Sequence, residues 1–254
     1  MTAIGIDLNA DLGENPDAGA IDDELMRSIT SANIACGAHA GDSASVRRTV
    51  AAASSLGVNV GAHPSYPDRA NFGRIAMEMP AAELRHTLEA QIRLVAEAAA
   101  QCGVRMTHVK PHGALYHAVN LDADVARTVA DAVRIVDASL IVVVQYGSPA
   151  INFFREQNLL TATEAFVDRA YEADGRLRSR MLPDALLGEE RAIAQALSIV
   201  LDHQVTTCDG SPLTIAPDTL CLHSDTPNAA AMAKRVRSAL EQAGVRMIPL
   251  NNAV

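Results

Sequence analysis

His108-Val109-Lys110-Pro111-His112-Gly113-Ala114-Leu115-Tyr116 decides how this sequence is read. The run Thr107–Lys110 predicts a short strand, Pro111 follows it, and an apolar helical pattern begins after Gly113. In parallel α/β folds ligands bind at the C-terminal ends of the strands, so a Lys and a His at such an end are candidates for chemistry.

The same unit recurs on both sides of this stretch. Strands are predicted at Ile4–Asn9, Ala32–Cys36, Val58–Ala62, Leu140–Gln145, Thr163–Val167 and Leu220–His223, with an extra one at Val245–Leu250. Between them, apolar spacing near 3.6 predicts helices at Ala81–Cys102, Val125–Val136, Glu189–His203 and Ala229–Ala243. Asp42 or Ser43 starts a further helix that Gly57 stops, and Gly103 and Gly244 end two others. The strands do not alternate polar and apolar cleanly, as expected when both faces are covered. Seven or eight β-then-α units imply a parallel sheet with helices outside, closed as a barrel or doubly wound. Gln204–Asp218, turning at Asp209-Gly210, reads as an inserted hairpin, and Tyr171–Leu187 reads as a lid. No linker divides the chain, so residues 1–254 are expected to form one domain.

Six of the seven strand ends carry ionisable residues. The ends hold Asn9 and Asp11; His39; His63; Lys110 and His112; Asp168 and Arg169; and His223. Neutral imidazoles with a carboxylate such as Asp11 suit a divalent metal, and the same groups suit general acid–base work. Lys110 could fix an anionic group, stabilise an oxyanion, or pair with Glu164 or Asp168. A lone strand-end His is more often a hydrogen-bonded structural residue, and His86, His117 and His203 fall on helices with surface or core roles. The collection favours function, because every structural reading would have to hold at once.

Composition narrows the classes. The net charge of -9 lacks any basic stripe, and aromatics are 3% of 254 residues with no Trp, which argues against nucleic acid. No apolar stretch is long enough to span a membrane. The four cysteines form no C-x-x-C pair, and no signal peptide is visible, so reduced thiols in a cytoplasmic protein are expected. Phosphate-cradling G-x-x-x-x-G-K-[ST] and G-x-G-x-x-G loops are missing, so no ATP site is legible.

The strand-end stretches Ile6–Glu14, Ser31–Asp42, Gly61–Asp68 with Asn71–Arg74, His108–Tyr116, Glu164–Tyr171 and Thr219–Asp225 together resemble the LamB/YcsF family of bacterial 5-oxoprolinase A subunits. Ile75 and Ser224 stand where the family usually has Arg and Gly. The resemblance implies a seven-stranded β/α barrel related to polysaccharide deacetylases. It implies ATP-dependent opening of 5-oxo-L-proline to L-glutamate in a complex with B and C subunits, the ATP being consumed by the complex. By analogy with the deacetylases, Asp11, His63 and His112 would hold a divalent metal or activate water. Lys110 and Arg169 would hold a carboxylate or phosphate, with Asn9, Asp168 and His223 also at the substrate, and His39 would carry a proton. The rival expectations are a stand-alone metal-dependent amide hydrolase or deacetylase, and a non-catalytic subunit that binds a carboxylate.

Overall fold

Strand β1 (Gly5–Leu12) shows how the sheet closes. On one side it pairs in parallel with β2 (Ser31–Ala35), and on the other with β9 (Thr219–Leu222). From β2 the parallel ladder runs through β3 (Asn59–His63), β4 (Met106–Val109), β5 (Ile141–Gln145) and β6 (Leu160–Phe166) to β9. Seven parallel strands therefore form a closed barrel. The computed structural model describes residues 4–15, 19–224, 226 and 228–250.

All seven predicted strands are present, with ends shifted by up to three residues. The shift at the end of β1 matters most. β1 continues to Leu12, so Asp11 stands on the strand itself rather than after it. The extra strand predicted at Val245–Leu250 shrinks to β10 (Arg246–Met247). It pairs with Gly5 and Ile6, ahead of the residues of β1 that pair with β9, and stays outside the barrel.

One expectation holds only in part. β5 carries the continuous apolar run Ile141–Val144, but β1 alternates with a period of two. Ile6, Leu8, Ala10 and Leu12 join the apolar layer beneath the helices. Asp7, Asn9 and Asp11 bond instead across the lumen, to Ser31, Glu164 and Asn33 respectively. Both faces of β1 are buried beyond Gly5 and its inner face is polar, whereas Ile141 and Val143 of β5 form a separate apolar cluster with Ala162 of β6.

That lumen is a connected column. At one end, Asp7 accepts hydrogen bonds from Thr30, Ser31 and Thr219. Asn9 donates to Thr219 and Glu164, and Asn33 donates to Asn9 and Asp11 at 2.7 and 2.8 Å. The fully buried His108 reaches Asn33 Oδ1 through Nε2 at 2.8 Å. Gly61 makes room for it, since a Cβ there would lie 2.1 Å from the imidazole Nε2. A buried polar group without a partner costs free energy, so a lumen of this kind is stable only when each group is satisfied.

The outer layer follows the predicted helices closely. They are α2 (Ser43–Leu56), α3 (Ala81–Gln101), α5 (Ala123–Asp137), α7 (Glu189–Leu197) and α8 (Ala229–Gln242). Asp42 caps α2 in a reciprocal box with Ser45, and Gly57 ends it at φ 68°. Leu84, Leu88, Ile92 and Val95 of α3 form one buried stripe, each side chain contributing ~1.5–3 kcal/mol on burial. The predicted Glu189–His203 helix changes at Ser198 into a π-helical turn ending at Asp202. Shorter helices α1 (Gly19–Met26), α4 (Gly113–Leu121) and α6 (Ala150–Glu156) complete the ring.

Two insertions stand where the sequence placed them. β7 (Gln204–Thr206) and β8 (Pro212–Thr214) form the antiparallel hairpin around Gly210. Segment 171–187 is irregular, tied by antiparallel bridges Arg169–Leu186 and Tyr171–Leu177. All four cysteines are free thiols. Among the described residues no helix is long and apolar enough to cross a membrane.

Candidate active site

Strands β1 and β3, the loop after β2 and the turn after β4 deliver four side chains to one point. Glu14 follows the turn at Gly13, where φ is 74°. Its Oε1 lies 3.2 Å from His39 Nε2, 3.3 Å from His112 Nδ1 and 3.9 Å from His63 Nε2. The His39 and His112 rings stack at 3.8 Å, and His63 meets His112 edge-on.

The outward nitrogen of each imidazole is already committed. His63 Nδ1 donates to the Lys110 carbonyl at 2.7 Å, and His112 Nε2 donates to the Phe72 carbonyl at 2.9 Å. His39 Nδ1 lies 3.0 Å from Ser65 Oγ, whose own proton goes to the Tyr66 carbonyl, so His39 is the donor. A carbonyl can only accept, which fixes these tautomers and turns three bare nitrogens inward. Two of them, on His63 and His112, are 3.0 Å apart. Facing lone pairs at that distance require a cation between or beside them.

With no metal bound, that cation is a proton. Burial, and then the charge on His63, push His112 down to about 2. Burial likewise pushes His39 down to about 3, so neither ring competes for the proton. Burial would lower His63 too, but Asp11 and Glu14 outweigh it and raise its pKa. For Asp11, burial would raise the carboxyl, while His63 and Lys110 hold it well below the usual carboxylate range.

A strap closes over the imidazoles. Phe72 and Gly73 both have positive φ, and a Cβ on Gly73 would come within 2.9 Å of the His39 Cβ. A side chain here would push the strap off the rings.

His223 lies beyond the end of β9, in a donor group with Asp11 and Cys221. Its Nδ1 is 3.1 Å from Asp168 Oδ1, and the other Asp168 oxygen accepts from Thr226 Oγ1 at 2.6 Å and from the His223 backbone. Burial would raise Asp168, but its contact with His223 lowers it, so it stays ionised. The Phe166 ring stacks on His223 at 5.3 Å. Both groups border a cavity of about 390 Å³ whose wall includes Arg74, Arg169, Arg178 and Arg180. The last two come from the segment read as a lid, as does Leu177. His117, assigned a surface or core role from sequence, also lines this cavity.

The structure thus gathers Asp11, His39, His63, Lys110, His112, Arg169 and His223 around one mouth, with Asn9 and Asp168 behind it. Asp11 forms a donor group with Cys221 and His223 while its Oδ2 lies 3.4 Å from His63 Nε2, and Glu14, which the expectation lacked, joins the three histidines. His39, expected to carry a proton, stands among those donors. Lys110 is only 2% exposed, and its ammonium is surrounded by Asn9, Asp11, Glu164 and Cys221. The salt bridge to Glu164 weighed from sequence is present at 2.9 Å, and none is seen to Asp168 among the described contacts. Asp225, part of the last motif, lies outside the described residues.

Fold and mouth together define a β/α-barrel protein with an ionisable site at the C-terminal strand ends. The LamB/YcsF family model matches residues 6–254, and the chain belongs to that family. It is 48% identical over 245 residues to the 5-oxoprolinase A subunit of Chloroflexus aggregans, covering 95% of this chain and 97% of the relative. The 5-oxoprolinase A subunit of Methylococcus capsulatus is 47% identical over 248 residues, covering 96% and 95%. The crystal structure of a lactam utilization protein from Thermus thermophilus superposes with a TM-score of 0.90 at 39% identity, covering 97% of this chain and all of the other.

Proposed function

We propose that this chain is the ring-opening component of a 5-oxoprolinase, hydrolysing a cyclic amide that partner B and C subunits activate with ATP. The observation that carries this reading is the set of three bare imidazole nitrogens converging with Glu14 beside an arginine-lined cavity. A lactam is a stable amide, and opening a five-membered one is uphill without coupling. Phosphorylating its carbonyl oxygen elsewhere in the complex would supply the leaving group. The substrate reaching this mouth would then be anionic, which suits Arg74, Arg169, Arg178 and Arg180 along the wall. Consumption of ATP in such a complex suits a cytoplasmic location.

The donor set fits a divalent cation of the zinc type, because fixed tautomers present neutral nitrogens and one carboxylate. Glu14, His39, His63 and His112 would hold it, and it would supply Lewis-acid polarisation of a carbonyl oxygen or water. The remaining roles fall to the chain's own groups. Asp11, kept ionised with Oδ2 turned toward the imidazoles, accepts a proton from water. His223, oriented by Asp168, returns a proton to the leaving nitrogen. Phe166 and Leu177 restrict water around the reacting atoms.

Reconstitution with the B and C subunits tests the reading, with ATP-dependent glutamate formation as the measurement. Activity should require this chain, fall after chelation, and return with a divalent ion. His112→Ala should abolish turnover while leaving ATP consumption by the partners measurable. Full turnover by the His112→Ala complex would refute the assignment. Lactam or N-acetyl-sugar hydrolysis by the chain alone, without ATP, would favour a stand-alone amidase instead.

A further inference from the structure

A second group of metal-type donors lies beside the first. Asp11, Cys221 and His223 have donor atoms within 4.8 Å of one another. Asp11 Oδ2 also faces His63 Nε2 at 3.4 Å, so the two groups share a wall. Adjacent donor sets of this kind are how hydrolytic enzymes hold two ions ~3.5–4 Å apart.

The position between Asp11 and Cys221 is already filled. Lys110 Nζ lies 3.0 Å from Asp11 Oδ1, 3.1 Å from Cys221 Sγ, 2.9 Å from Glu164 Oε1 and 3.3 Å from Asn9 Oδ1. An ammonium has three hydrogens, and four acceptors surround it, leaving none for a substrate carboxylate. The acceptors are themselves fixed. Asn33 holds Asp11 Oδ1 at 2.8 Å, and Tyr116 and Asn9 hold the two oxygens of Glu164.

We infer that the Lys110 ammonium is the built-in second cation of this centre, holding the place a second divalent ion would take and limiting the site to one ion. Lys110 is then a positioning residue. It acts through Asp11, taking Oδ1 so that only Oδ2 faces the imidazoles, and it does not anchor the substrate. A covalently tethered cation cannot dissociate, so the geometry of Asp11 is independent of metal supply. The inference rests on reading Glu14, His39, His63 and His112 as a cation site, but its test is separable from that reading.

The test is equilibrium dialysis of the full chain against Co²⁺, read by metal content and by the near-ultraviolet sulfur-to-cobalt charge-transfer band. Wild type should bind one equivalent with no sulfur band. Lys110→Ala should bind one more and show the band, and Cys221→Ser in that background should remove both. If Lys110→Ala does not fold by circular dichroism, Lys110→Ala/Glu164→Gln carries the comparison, since it also removes the buried carboxylate left uncompensated. Two equivalents with a sulfur band in wild type would overturn the inference. So would an unchanged stoichiometry in the folded lysine variant. Wild type binding no Co²⁺ would sink the four-donor reading alone, and the gain of one equivalent in the variant would still support Lys110 as the resident cation.

Discussion

Asp7 offers a quantitative check on the polar lumen, away from the imidazoles. It is fully buried, and burial pushes its carboxyl from an ordinary 3.8 up to about 6, despite hydrogen bonds from Ser31, Thr219 and Thr30. The rise is about 2 units, and at ~1.4 kcal/mol per unit it corresponds to ~3 kcal/mol. Between the two values the folded chain holds more protons than the unfolded chain. Stability attributable to Asp7 is therefore greatest below pH 4 and is lost as pH rises through 6. Asp7→Asn mimics the protonated carboxyl in shape and cannot ionise. Relative to that variant, wild type should lose ~3 kcal/mol between pH 4 and pH 7, while other titrating groups cancel in the difference. For a chain of this length that is a melting shift of about 6–12 °C. The chain has no Trp, so circular dichroism is the suitable probe. Parallel wild-type and Asp7→Asn curves across this range, or a relative gain by wild type, would refute the burial argument.

Further outcomes follow from single contacts. Gly61→Ala drives a methyl into the His108 ring, so it should destabilise by ~1–3 kcal/mol in thermal melts, and adding His108→Ala should restore part of the loss. Ser65→Ala removes the acceptor that orients His39, so Co²⁺ affinity measured against a competing chelator should fall by roughly 10–100-fold. Unchanged affinity would argue against His39 as a ligand. Asp168→Asn should lower kcat of the reconstituted complex by about 10²-fold or more with little change in KM, since it disturbs His223 and not the arginine wall. A KM effect without a kcat effect would make His223 a binding residue.

The strand-end rule located the mouth because it depends only on chain direction. His63, His112 and His223 come from strands far apart in sequence, and closure of the barrel brings them together. Distances within the mouth were not legible in the same way. Glu14 lies in the first strand-end motif but was not among the expected site residues. Its place depends on the Gly13 turn, at the end of a strand that runs three residues longer than its apolar pattern suggested. The available signal was the spacing of Asp11 and Glu14 around a glycine. Lys110 read as an anion-binding group because a sequence shows its charge but not the three strands and their side chains packed around it.

The polar lumen was hidden for a related reason. Ile6-Asp7-Leu8-Asn9-Ala10-Asp11-Leu12 alternates strictly, yet for a sheet covered on both faces no clean alternation was expected. A polar inner face is tolerable only in a closed barrel, where residues from β1, β2, β4, β6 and β9 can satisfy one another across the axis. Asn33 joins His108 to Asp11, and Asn9 joins Thr219 and Asp7 to Glu164 and Lys110. The orientation of Asp11 at the mouth thus depends on groups from strands all around the barrel. A change such as Gly61→Ala, which displaces His108 without touching the mouth, should consequently alter Co²⁺ binding as well as stability.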